Sequence, residues 1–147
     1  MALAIIRILI GIFFVVSGFE KLINPYENFL YVVQSYELVG KPLDLLTAWF
    51  MPWIEFILGV FMILGLWLKI TLRGMWALLI IFIFVLGQAI LRNLPITECG
   101  CFGDLLPLPL AVTVAMDTVL LITVTFLRAF IQKTSLLSLD RYFLSKQ

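Results

Sequence analysis

Four apolar runs, each about as long as a bilayer is thick, dominate this chain of 147 residues and leave it few ways to fold. A backbone in hydrocarbon must satisfy its own polar groups, so each run is expected to cross as an α-helix, which takes about 20 residues. The spans are expected at about 3–19, 45–68, 71–91 and 107–130. Only Arg7 is charged in the first, while Pro52 and Glu55 lie in the second and Asp117 in the fourth. Between Leu66 and Leu72 there is room only for a tight helical hairpin. Pro107 and Pro109 suit the first turn of the fourth span, where a missing N–H costs nothing. The composition agrees: at 63% hydrophobic and 13% charged residues, a water-soluble domain of this size would have nowhere to hide its apolar surface. The expected fold is all-α, a four-transmembrane-helix bundle over residues 1–131, with residues 132–147 as a cytoplasmic tail.

The first run also has a rival reading as a cleaved signal peptide, with Val15 and Ser17 ahead of the cleavage point. No basic cluster precedes it, so a retained helix is expected. Between the first two spans, Glu20 to Asp44 is polar and broken by Asn24-Pro25 and by Gly40-Lys41-Pro42. Within it, Phe29, Leu30, Val33 and Tyr36 recur at helical spacing from Tyr26 to Val39. That pattern predicts a short interfacial helix, with tyrosines at headgroup level. Trp49 and Trp53 are expected at one membrane surface and Trp67 at the other.

Orientation follows from the basic residues. Arg7, Lys69, Arg73, Arg128, Lys133, Arg141 and Lys146 fall on one side, and Lys21, Lys41 and Arg92 on the other. Positive charge stays inside, so both termini are expected in the cytoplasm and the loop between the third and fourth spans outside. A formal net charge of +1 gives no reason to expect nucleic acid as a partner; the lipid bilayer is the partner the composition demands.

The outer loop, Arg92 to Leu106, holds the only two cysteines, Cys99 and Cys101, within Glu98-Cys99-Gly100-Cys101-Phe102-Gly103. Such a pair supports three readings. In thiol–disulfide exchange, Gly100 lets the backbone bend enough to bring the sulfurs together, and a strained, exposed bridge is readily exchanged. As a staple it gains little, because the loop it would close is almost nothing. As a metal site it offers two thiolates for a soft ion, yet the chain has no histidine to complete a zinc site, and no metal is expected. Inert loop cysteines are the plain alternative.

Charged and polar residues within the spans form a second set. Glu55, Gln88, Arg92 and Asp117 are candidates for binding a cofactor, with quinone the one considered. Ionisable groups at membrane depth turn inward and find partners, so Glu55 or Asp117 is expected to meet Lys21 or Arg92. A polar network that only fixes helix packing is the plainer reading of the same residues, and a proton relay or a quinone site is the sharper one.

With these residues set out, the chain resembles the MauE family of methylamine-utilisation membrane proteins, within the wider DoxX-like group. The resemblance covers nearly the whole chain up to the tail. It is carried by Ser17-Gly18 with Lys21-Leu22 and Pro25, then Tyr36, then Met51-Pro52-Trp53-Ile54-Glu55 with Gly59 and Gly65. Cys99-Gly100-Cys101-Phe102-Gly103 anchors it, and Asp117 follows in the last helix; Glu98 stands where an aspartate is expected. The resemblance implies a bacterial inner-membrane protein assisting maturation of an extracytoplasmic redox enzyme, with a thioredoxin-fold protein as partner. Cys99 and Cys101 would then be the exchanging pair. The DoxX-like relationship implies a quinone-linked oxidoreductase subunit as the second possibility, and a non-enzymatic scaffold of a maturation complex is the third.

Overall fold

In the computed structural model, residues 2–37, 40–94 and 108–131 are described, with the side chain of Lys41 excepted. Cys99, Cys101 and the tail therefore lie outside the described residues. The described chain is helical: α1 (Ala2–Ile23), α2 (Tyr26–Ser35), α3 (Lys41–Leu64), α4 (Leu68–Leu91) and α5 (Leu110–Ala129). Helices α1, α4 and α5, and α3 from Pro42 onward, are each long and apolar enough to cross a membrane. The protein is a multi-pass membrane protein.

The breaks fall where backbone chemistry requires them. Asn24-Pro25 separates α1 from α2, with Pro25 extended at φ −53° and ψ 129°. Gly65 closes α3 in the left-handed region, at φ 67°, and donates its N–H to the Phe61 carbonyl at 2.8 Å. Glycine takes that conformation without the Cβ clash that other residues meet. Leu66 and Trp67 complete the turn, and Thr71 Oγ1 donates to the Leu66 carbonyl at 2.8 Å. The tight hairpin expected from the sequence is thus present.

Some boundaries differ from the sequence reading. Helix α1 runs on to Ile23 rather than ending at Phe19, because Glu20 and Lys21 are buried among its neighbours instead of facing water. Helix α3 begins at Lys41 rather than 45, with Pro42 in its first turn, and ends at Leu64 rather than 68, where Gly65 stops it. Helix α5 starts at Leu110; Pro109 caps it from outside in an extended conformation rather than sitting within the first turn.

Helix α1 packs chiefly on α3, α4 on α5, and α2 lies against α3. The closest approach is between α1 and α3. A Cβ at Gly18 would stand 2.7 Å from the Phe56 nitrogen, and one at Gly59 would stand 2.8 Å from the Val15 nitrogen. Small residues that let backbones touch are what hold membrane helices together, since lipid is as apolar as leucine and gives no hydrophobic drive between helices. Ile10, Phe14, Met62, Leu72, Met75 and Val124 fill the main core. A smaller cluster at the other end joins Tyr36, Leu86, Ala89 and Leu110, tying the end of α2 to the α4–α5 pair. Large apolar side chains such as Leu9, Phe84 and Ile122 are exposed on the outer faces, as a bilayer solvent demands. Trp49, Trp53 and Trp67 are exposed as well.

Arg7 is fully buried in α1, and its Nη2 donates to the Ile63 carbonyl at 3.4 Å. It thereby places a cation at the carbonyl end of α3, where the helix dipole favours one.

Candidate functional site

The polar centre of the bundle is built by α1 and α3 where they come closest. Ser17 and Lys21 stand one helical turn apart, so they share the face of α1 that Gly18 holds against α3. Lys21 Nζ lies 2.7 Å from Glu55 Oε2 and donates to Ser17 Oγ at 2.8 Å. Ser17 Oγ in turn donates to the same Glu55 oxygen at 3.0 Å. The three groups form a closed triangle, and the side chains of Lys21 and Glu55 are only 2% and 0% exposed. The ring of Phe29 on α2 stands 5.5 Å from Lys21 Nζ, adding a cation–π contact.

Helix α5 brings Asp117 to this centre. It is 5% exposed and within electrostatic reach of both Glu55 and Lys21. Thr113, one turn earlier on α5, is fully buried. Outer oxygens remain open: Glu55 Oε1 and Asp117 Oδ2 are buried and accept no hydrogen bond among the described residues.

Gln88 and Arg92, at the end of α4, are engaged elsewhere. Gln88 Nε2 donates to the Tyr36 carbonyl at 3.0 Å. Arg92 Nη1 donates to the Glu37 carbonyl at 3.2 Å and to Gln88 Oε1 at 3.3 Å, and its Nη2 pairs with Glu37 Oε2 at 3.3 Å. This second group latches the end of α2 to the end of α4. It sits on the surface, with the Arg92 side chain 48% exposed. The Tyr36 ring packs inward beside it. Burial pushes its phenol up to about 12 from 10.0, and the Asp117 charge adds to the effect.

The expected pairing of Glu55 with Lys21 is therefore present, while Arg92 takes Glu37 instead of an intramembrane carboxylate. The reason is reach: Arg92 follows the last residue of α4, outside the span, and meets the end of α2 there. The four residues considered for quinone fall into two separately bonded groups, with Glu55 and Asp117 in one and Gln88 and Arg92 in the other. Ser17, Phe29 and Glu37 were not singled out as site residues from the sequence. The spacing of Ser17 and Lys21 was a readable signal, whereas the parts played by Phe29 and Glu37 depend on how α2 folds back. Among the described residues, no three acidic, histidine or cysteine side chains gather as a metal site.

A family model described as "Methylamine utilisation protein MauE" matches residues 1–138, nearly the whole chain. No curated protein and no solved structure matches it.

Proposed function

The chain belongs to the MauE family, and from that premise we propose that it is a membrane thiol–disulfide partner of an extracytoplasmic thioredoxin-fold protein, supporting maturation of a redox enzyme. The observation that carries this reading is the Cys99-Gly100-Cys101 pair, the only cysteines in the chain, placed between the last two spanning helices. Two features support it. The flanking helices meet at that end, where Leu86, Ala89 and Leu110 cluster with Tyr36, and the Arg92–Glu37 latch fixes the last described turn before the pair. A structural staple of this size would add almost no stability, so exchange is the use that fits the spacing.

The chemistry balances within the two proteins. The thiolate of one cysteine attacks a partner disulfide, forming a mixed disulfide and releasing one partner thiolate. The second cysteine then attacks the mixed disulfide, forming the Cys99–Cys101 bond and releasing the partner's other thiolate. Two electrons pass to the partner, and the reverse sequence oxidises it.

In this reading the pair faces the extracytoplasmic side of a bacterial inner membrane, with both termini in the cytoplasm, and the count of basic residues supports it. Arg7 and Lys21 are both turned into the bundle, so neither counts as a loop charge. The basic residues left on the two sides are then six against two, with the same bias.

The test is a non-reducing gel of membranes from Cys99→Ser and Cys101→Ser strains, each with a tagged thioredoxin-fold partner. Loss of the resolving thiol should trap a reducible higher band in one strain only. No band in either strain, with client maturation intact, refutes the reading. A membrane-impermeant thiol reagent should label both cysteines in intact cells after mild reduction; labelling only after lysis would invert the orientation.

A further inference from the structure

The polar centre of the bundle holds more negative groups than positive ones. Lys21 is the cation bonded there among the described residues, and it is committed to Glu55 at 2.7 Å. Asp117 feels both of those charges yet makes no ion pair among the described residues. Glu55 and Asp117 are 0% and 5% exposed, and each has one buried oxygen, Oε1 and Oδ2, that accepts no hydrogen bond among the described residues. With Lys21 and both carboxylates charged, this centre would carry a net negative charge inside hydrocarbon. An uncompensated charge there is strongly unfavourable, and a bound proton removes it.

We propose that Lys21, Glu55 and Asp117 form an intramembrane site that binds one exchangeable proton, carried on Asp117. The loaded site is neutral: one ammonium, one carboxylate, one carboxylic acid. The reading stands apart from the cysteine chemistry.

Two further carboxylates on the packed helices, Glu20 and Asp44, are buried as well, and each has its own neighbours. On α1, Arg7 is bonded to the Ile63 carbonyl at the far end of α3, and Glu20 bonds Asn24. On α3, Asp44 lies in the first turn, where the helix dipole favours a carboxylate. Arg92, after α4, pairs with Glu37, which follows α2. Tyr36, beside Asp117, is a neutral phenol below about pH 12. Ser17 and Thr113 are uncharged, and Phe29 faces the Lys21 ammonium.

The experiment is infrared difference spectroscopy of the full chain in lipid nanodiscs, in H2O and D2O, across a pH series. The wild type should show one protonated-carboxyl stretching band at neutral pH that shifts in D2O and vanishes as pH rises. Asp117→Asn should abolish it. Glu55→Gln should abolish it too, because Lys21 is then released to balance an ionised Asp117. The wild-type titration alone carries the test if any variant fails to fold. Absence of the band in the wild type, or a band unchanged in Asp117→Asn, overturns the proposal. So does a band that shrinks at constant pH when sodium replaces choline, which would make the ligand a metal cation.

Discussion

Gly18→Ala adds one methyl group at the point where α1 and α3 touch, and its cost follows from the distances there. The new Cβ would stand 2.7 Å from the Phe56 nitrogen and 2.9 Å from the Pro52 carbonyl oxygen, where ordinary contact begins at 3.4 Å. Both obstacles are backbone atoms, so the helices must separate by roughly 0.7 Å. Overpacking of this kind costs about 1–3 kcal/mol. The same shift stretches the Ser17–Glu55 hydrogen bond, now 3.0 Å, past useful length. That loss adds about 1 kcal/mol. Alanine in a helix returns roughly 0.5–1 kcal/mol through lower backbone entropy in the unfolded chain. The expected net destabilisation is about 1–3 kcal/mol, with the Lys21–Glu55 pair weakened alongside. Gly87→Ala is the matched control. A Cβ there meets nothing within 4 Å, so only the helix gain remains and the variant should be as stable as the wild type or slightly more so. Reversible unfolding of both variants in mixed detergent micelles, followed by circular dichroism, gives the comparison. Equal effects at Gly18 and Gly87 would refute the account of the α1–α3 interface.

Lys21→Met leaves Glu55 buried without its cation and should destabilise the bundle by about 3–5 kcal/mol at neutral pH, read in the same unfolding assay. Tyr36 holds its proton to about pH 12 when folded, against 10.0 when unfolded. The folded state thus binds more protons in between, so its stability is fully present below pH 10 and falls as pH rises from 10 to about 12. Ultraviolet titration should show a late phenolate step that Tyr36→Phe removes. Arg92 and Glu37 are exposed, so a double-mutant cycle with alanine should give a coupling of only about 0.2–1 kcal/mol. A much larger value would mean that the latch is shielded from water by something outside the described chain.

The sequence by itself determined which segments are helices, and their ends only to within about one helical turn. Apolar length decides that in a bilayer, and Asn24-Pro25, Gly65 and Pro109 punctuate it. It also showed that Glu55, Lys21 and Asp117 must turn inward, since no lipid-facing position tolerates them. The cysteine pair was legible as the candidate for the proposed exchange chemistry, because thiols that close together have few uses. What the tertiary structure decided was who meets whom. Apolar residues cover every face of these helices, so hydrophobic periodicity says little about how each one is rotated about its axis. Rotation was set instead by close contact at Gly18 and Gly59, which brings Ser17 and Lys21 onto Glu55 and leaves Arg92 to Glu37. The same contact commits Lys21 to Glu55 and leaves Asp117 with no ion pair among the described residues. Charge and length are properties of residues and can be read along a chain, but partnership depends on sub-ångström fit between helices distant in sequence.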